Sequence, residues 1–326
     1  CQSCIQYVFR TFLNSFKTDF QIYFTGSQRE HTHLILPMSQ LIQLPRDIWS
    51  NHVVQFLSMA DIVQADNAAC NRRDRDAFLS NLYNCSHTQD VTFNDNYETM
   101  SQWLIQRKIT ASAISIRTAL LTEEIPSIVE LLSNSNSLSF ENGFQLYNED
   151  LEAILQFCTQ RLEKLSIRHS PVTRMEVLCR CPRLTSLRLQ DCNDLTSEAF
   201  VRCIEGCPQL QNVAIVDCVH LSTHAFAAIP HAARNLTSLE LRGDFSFDEV
   251  LSCFPPTTNM RALVVQGCTI TSISFERIAH CMPQLEVFRL ISPAQNLRAN
   301  DIDLELLTRT CTNLKSIELS GCGGLT

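Results

Sequence analysis

The chain has 326 residues, 45% of them hydrophobic and 18% charged, with a formal net charge of −8 and a pI near 5.6. That acidity argues against nucleic acid as a partner, since phosphates want a basic face, and no run approaches the roughly 20 apolar residues of a membrane helix. Only 8 glycines are present and neither GxGxxG nor GxxxxGK(S/T) occurs, so no phosphate-cradling loop is offered; a soluble, cytoplasmic or nuclear protein without a cofactor is expected.

The chain begins at Cys1, and its first methionine is Met38. Across residues 1–37, Phe9, Phe12, Phe16 and Phe20 follow a helical spacing, which predicts a short amphipathic helix. The alternative expectation is a non-native leader or disordered segment, with the working protein starting at Met38. Cys1-x-x-Cys4 has no second cysteine pair and carries no metal-site signal.

Residues 38–80 read as about three short helices. Pro45 suits a first helical turn and Ser58 an N-cap. The order Leu44-Pro45-Arg46-Asp47-Ile48-Trp49, then Val53-Val54-Gln55-Phe56-Leu57, then Ser58-Met59-Ala60-Asp61-Ile62-Val63 resembles an F-box, with Ala69-Cys70-Asn71-Arg72 similar to the VCR part of that motif. The resemblance implies docking on a Skp-type adaptor through Leu44, Pro45, Ile48, Val53, Phe56, Leu57 and Ile62. It departs where the family carries a tryptophan after VCR: here stand Arg73-Asp74-Arg75, and the nearby tryptophan is Trp49. The other reading of this segment is a helical cap on the N-terminal end of a repeat array. The mixed signs of Arg72-Arg73-Asp74-Arg75-Asp76 indicate a solvated helix face rather than a nucleic-acid contact. Residues 81–110 are polar, a helical linker or cap with a helix expected around Met100–Arg107, containing Trp103.

From 111 onward the sequence repeats itself. L-x-x-L-x-L occurs at Leu162/Leu165/Ile167, Leu184/Leu187/Leu189, Leu210/Val213/Ile215, Leu236/Leu239/Leu241, Met260/Leu263/Val265, Leu285/Phe288/Leu290 and Leu314/Ile317/Leu319. Steps between first positions are 22, 26, 26, 24, 25 and 29 residues. Degenerate copies stand at Ile114/Ile116 and Leu138/Phe140. Alternation puts the last two apolar side chains of each motif on one face of a short strand. Between motifs the period becomes helical: Leu195, Ala199, Phe200, Cys203 and Ile204 form one stripe, with Thr196 or Ser197 placed to cap it. Each unit is a strand, a turn and a helix, and only stacking buries both apolar faces.

Eight of the 16 cysteines keep this register. Cys192, Cys218, Cys268 and Cys322 lie three residues after the last strand leucine; Cys181, Cys207 and Cys311 lie three before the first, and Cys281 four before. They read as reduced, buried thiols. The spacing resembles the cysteine-containing leucine-rich repeats of F-box proteins, over about residues 155–326. Asp244 and Pro293 replace the turn cysteine in two repeats, where irregular turns are expected. The fold class is therefore α/β: a right-handed leucine-rich-repeat solenoid over 111–326, with a parallel inner sheet and outer helices, preceded by a small all-α F-box-like segment. The final Gly323-Gly324-Leu325-Thr326 comes one turn after a strand, so a closing repeat is expected beyond it.

Candidate chemistry is sparse. Cys218, His220 and His224 make C-x-H-x₃-H, yet Cys218 belongs to the repeat row, and no metal is assigned. The sequons at Asn84 and Asn235 read as chance matches. The outward strand positions are the better candidates: Arg117, Arg168, Arg188, Glu240, Arg242 and Arg289, with Val216, Val264 and Ile291 between them, make a concave protein-binding surface. If the F-box resemblance holds, it implies a substrate receptor of a Skp/cullin/F-box-type ubiquitin ligase, with no catalytic residue of its own. The alternative is a repeat scaffold or inhibitor that binds a protein without any ubiquitin link.

Overall fold

The computed structural model describes residues 6–10, 19–25, 32–37, 43, 66, 72–84, 89–93, 97–107, 109–117, 125, 128–142, 146–255, 258–291, 297–298 and 300–320. The chain divides into two compact units, residues 1–92 with 99–112, and residues 93–98 with 113–326. The F-box-like positions Leu44, Pro45, Ile48, Val53, Phe56, Leu57 and Ile62 lie outside the described residues, as does Cys322.

In the first unit, strands β1 (Gln6–Arg10), β2 (Asp19–Thr25) and β3 (Thr32–Pro37) form an antiparallel sheet in which Phe9 faces Ile22 and Ile22 faces Leu34. The helix predicted from the phenylalanine spacing is not formed at Phe9 or Phe20. Phe20, Ile22 and Phe24 alternate with a period of two inside a segment of β-branched and aromatic residues, and that strand preference prevails. Helix α1 spans Arg72–Asn84 and α2 spans Tyr97–Gln106, the latter covering the expected Met100–Arg107 helix. Between them stands β4 (Gln89–Phe93), a strand not foreseen in the segment read as a linker. Phe78, Val91 and Leu104 are buried in this unit.

Asp66 is fully buried there, and its neighbours explain how a carboxylate survives burial. One carboxylate oxygen accepts from Trp103 Nε1 at 3.1 Å and from Arg107 at 2.6–2.8 Å, and Arg75 lies 3.0 Å from the other. The Arg107 guanidinium also stacks over the Trp103 ring at 4.7 Å. That second carboxylate oxygen, Oδ1, has the charge of Arg75 beside it but no well-aligned donor, because Arg75 points its N–H groups at the Asp66 main-chain oxygen. Arg75, read as part of a solvated face, is therefore half-committed to an internal ion pair, whereas Arg73 is exposed as expected.

The second unit is an α/β leucine-rich-repeat solenoid. Its strands are β5 (Ala111–Ile116), β6 (Ser137–Phe140), β7 (Lys164–Arg168), β8 (Ser186–Gln190) and β9 (Asn212–Val216). They continue through β10 (Ser238–Arg242), β11 (Ala262–Gln266), β13 (Val287–Ile291) and β15 (Ser316–Ser320). With β4 they make a ten-stranded sheet in the order β15-β13-β11-β10-β9-β8-β7-β6-β5-β4. Pairing from β5 to β15 is parallel throughout and in register, Leu165 beside Leu187, then Val213, Leu239, Leu263 and Phe288. All of these side chains are at most 2% exposed. From β5 to β13 the strand aliphatics face the core, as their spacing predicts, whereas in β15 Ile317 is exposed and Leu319 half-buried.

Helices return the chain on the covered face: α3 (Val129–Asn134), α4 (Asn148–Leu155), a 3₁₀ turn at Glu176–Arg180, α5 (Ser197–Glu205), α6 (Thr223–Ala232), α7 (Phe247–Ser252), α8 (Ser272–Cys281) and α9 (Asp301–Thr310). In α5 the cap is Thr196, whose side chain accepts from Ala199 N, and the buried stripe is Ala199, Phe200, Cys203 and Ile204. Two short strands, β12 (Ile270–Thr271) and β14 (Leu297–Arg298), pair beside the helix starts. With about five apolar side chains buried per repeat, each contributing roughly 1.5–3 kcal/mol, neighbouring units are strongly coupled.

Two recurring backbone devices hold the register. Before each strand, one carbonyl accepts from two successive N–H groups of the next repeat: Glu163 O from Thr185 and Ser186, Thr185 O from Gln211 and Asn212, Gln211 O from Thr237 and Ser238. After β7, β8, β9 and β11 the chain turns through a left-handed residue, His169, Asp191 and Asp217 at φ 52° and Gly267 at φ 79°. The amide there donates to the next strand: His169 N to Gln190 O, Asp191 N to Val216 O and Asp217 N to Arg242 O, each at 2.9 Å. Aspartate tolerates this conformation better than most residues.

The repeat cysteines fill the corners beside these turns. Cys192 Sγ reaches Gln190 O at 3.5 Å and Ile167 O at 3.7 Å, and Cys218 Sγ reaches Val216 O at 3.6 Å. At the opposite corner Cys207 Sγ lies 3.5 Å from Leu178 O and Cys311 Sγ 3.4 Å from Met282 O. All described cysteines are free thiols. Burial pushes Cys158, Cys181 and Cys268 up to about 12, while the thiol contact with Cys218 and then burial raise Cys192. In the repeat where Asp244 replaces the cysteine, Phe245 is buried instead, its ring 4.8 Å from that of Phe226.

Candidate functional site

Pleating turns alternate strand residues away from the helices, so the open face of the sheet is a set of rows running across the repeats. The middle row reads Ser115, Ser139, Ser166, Arg188, Ala214, Glu240, Val264, Arg289 and Glu318, each beside the next in register. The following row carries Arg168, Gln190, Val216, Arg242, Gln266 and Ile291, with Arg117 and Glu141 just after their strands. The structure thus places the predicted arginines, Glu240, Val264 and Ile291 on one surface. Val216 is the exception: at 2% exposure it offers no contact area. It stands between Gln190 and Arg242 in register, and the Arg242 guanidinium is drawn to Asp217, the residue next to Val216.

The arginines themselves are mostly committed. Arg188 and Glu240 form a two-point ion pair, 2.7 and 3.3 Å, across the strand between them. The small Ala214 at that position leaves room for the two side chains to meet. Arg242 pairs with Asp217 at 3.2 Å and Arg289 with Glu318 at 3.1 Å. Arg117 pairs with Glu141 at 2.7 Å while Ser115 Oγ donates to the other carboxylate oxygen at 3.1 Å. The hydrogen bond from Arg117 holds the Glu141 carboxyl below the usual carboxylate range, with a smaller contribution from Ser115 against a desolvation that raises it. These four pairs make the arginines rigid, charge-balanced features rather than free cations.

Arg168 differs. Its Nε is buried with no acceptor, and no carboxylate lies within ion-pair distance of it among the described residues. On the same strand and the same face stands Lys164, exposed and likewise unpaired among the described residues. Sequence reasoning missed Lys164 because it sampled only positions between and after the two strand aliphatics; its place directly before Leu165, two residues ahead of Ser166, was the available signal.

The other candidates do not assemble. Cys218 is buried against the turn, while His224 sits on the outer face of α6, lining a groove of about 400 Å³ with Val201, Ala228, His231 and Cys253. Among the described residues no three His, Cys, Asp or Glu side chains are grouped to hold a metal ion, and no helix is long and apolar enough to cross a membrane.

No family model and no curated protein matches the sequence. Among solved structures, the crystal structure of the Rad7 and Elc1 complex in yeast matches with a TM-score of 0.54 at 11% identity, over 88% of this chain and 90% of that one. Two internalins of Listeria monocytogenes also overlap, internalin C2 at TM-score 0.41 and 14% identity over 68% of this chain and 84% of that one, and the inlF internalin at 0.30 and 12% over 73% and 80%. At these identities the likeness is one of fold, and the fold shared with the yeast structure is the leucine-rich-repeat solenoid described above.

Proposed function

We propose that this chain is a protein-interaction module that recognises a substrate protein on the open face of its repeats, as the receptor subunit of a Skp/cullin/F-box-type ubiquitin ligase. The observation that carries the first half of this reading is the open face itself, nine strand positions wide in its middle row and rigidified by four ion pairs. Such a surface presents fixed side chains without prior ordering of a loop, which lowers the entropy lost on binding. The second half is supported by the F-box-like order of residues 44–72 and by the fold match to a structure in which Rad7 is complexed with Elc1. In this reading the chain carries no catalytic residue of its own. Its contribution would be positional, raising the effective concentration of a substrate lysine near a thioester carried by another subunit.

The test is adaptor capture by the full chain. A Skp-type adaptor should co-purify with it, and a Pro45→Ala/Leu57→Ala variant should lose that association while keeping its folded circular-dichroism spectrum. Retention by the variant ends the F-box assignment. One observation favours the alternative, a scaffold or inhibitor with no ubiquitin link: Arg75, which stands where the family has its tryptophan region, is turned inward to Asp66.

A further inference from the structure

Four arginines of the open face close on carboxylates of this chain, and strand β7 leaves two cations that do not. Lys164, Ser166 and Arg168 occupy alternate positions of β7 and share its open face. At about 3.3 Å per residue the Cα atoms of Lys164 and Arg168 stand roughly 13 Å apart. Around them are hydroxyls: Ser137 and Ser139 on β6 face Lys164 and Ser166, and Ser186 on β8 stands beside Lys164. The nearby carboxylates make their direct contacts elsewhere: Glu141 feels the Arg168 charge at longer range but pairs with Arg117 and Ser115, Glu240 pairs with Arg188, and Asp191 lies 3.5 Å from His169. The buried Arg168 Nε is out of a partner's reach, but Arg168 as a whole is only half-buried and Lys164 is exposed, so both cations can form charge-assisted hydrogen bonds with an acceptor from another molecule.

We infer that β7 is the docking strand for an extended acidic segment of the partner polypeptide, one that carries two carboxylates four residues apart. This rests on the reading of the open face as a protein-binding surface. The spacing comes from the template: an extended chain lying along β7 places residues i and i+4 about 13 Å apart, matching Lys164 and Arg168, with the serine hydroxyls donating to its intervening main chain. A single compact dianion would need both long side chains folded inward over Ser166, at an entropic cost for each. Two cations in a chain of net charge −8 are too few to track a nucleic-acid backbone.

The experiment uses the full chain and fluorescein-labelled ten-residue Gly/Ser peptides carrying two glutamates at i and i+4, two adjacent glutamates, no glutamate, or a single phosphoserine, read by fluorescence anisotropy. The i,i+4 peptide should bind most tightly, roughly tenfold above the uncharged one, as charge-assisted hydrogen bonds allow. Lys164→Ser and Arg168→Ser should each weaken it about three- to fivefold and the Lys164→Ser/Arg168→Ser double variant more, Arg289→Ser should not, and raising NaCl from about 50 to about 300 mM should weaken it for the parent and Arg289→Ser but hardly for the double variant. Circular dichroism checks that each variant is folded. The inference is overturned if the double variant binds the i,i+4 peptide as the parent does, if adjacent glutamates bind equally well, or if the phosphoserine peptide is preferred. Adaptor capture is scored on the same preparations. Peptide binding lost with capture intact removes only this inference, and the reverse result removes only the ubiquitin assignment.

Discussion

In the middle row of the open face strands β5–β8 present Ser115, Ser139, Ser166 and Arg188, whereas β9–β13 present Ala214, Glu240, Val264 and Arg289, with Ile291 beside them. Behind both halves the core is the same, Leu165 and Leu187 in one and Leu239 and Leu263 in the other, all essentially inaccessible. The C-terminal half closes Arg242 and Arg289 on Asp217 and Glu318, while the N-terminal half closes Arg117 and Arg188 but leaves Arg168 and Lys164 open. The residues that make the repeat stack and the residues that make it recognise something are therefore separate sets. They alternate along the same short strands, so one can vary while the other is held.

That separation is easiest to break at the core. Leu187→Ala and Leu263→Ala should each destabilise the protein by about 2–5 kcal/mol, seen as matched shifts of the urea midpoint. A large shift in one half and a negligible one in the other would mean that the halves do not share one packing rule. Helix capping sharpens the contrast at smaller scale. Thr196 accepts a hydrogen bond at the start of α5 and Ser246 makes none at the start of α7. Thr196→Ala should therefore cost about 1 kcal/mol and Ser246→Ala within roughly 0.5 kcal/mol of zero, both measured by the same denaturation.

Glu240→Ala frees Arg188 and makes the border strand β8 resemble β7. Stability should fall by about 1 kcal/mol or less, since both partners are about one-third exposed. Binding of the acidic peptide should rise about two- to threefold as the cationic patch widens; a fall would argue that the Arg188–Glu240 pair orders the patch rather than bounding it. The smallest effect belongs to pH. Because Arg117 lowers the Glu141 pKa in the folded state, the pair stabilises fully above the unfolded glutamate value of about 4.3 and loses that contribution as pH falls through the depressed folded value. The stability difference between the parent and Glu141→Gln, about 1 kcal/mol or less at pH 7 for a pair this exposed, should vanish in that acid window. A difference that persists below it would assign Glu141 a packing role instead.

What is legible in the sequence divides along the same boundary. The strand leucines, the α5 stripe with its Thr196 cap and the corner cysteines each depend on residues within one repeat, so spacing alone locates them. Arg188 and Glu240 are 52 positions apart in the chain, and nothing local says that the strand between them carries an alanine small enough for the pair to form. Asp66, Trp103 and Arg107 meet over 37 and 41 positions of chain, so the tryptophan beside the buried carboxylate comes from a segment far from Arg73. Strand β4 escapes a sequence reading because Gln89-Asp90-Val91-Thr92-Phe93 is short and polar, and its apolar residues show only in a sheet that receives them.

Local periodicity, then, was enough to say that strands and helices alternate and that their aliphatic faces bury one another, because a side chain's neighbours at two, three and four residues are set by backbone geometry. Stacking decided which charges on the open face are spent internally and which remain for a partner. An ion pair depends on which strand lies beside which and on the size of the residue between, and those distances exist only once the repeats are in place.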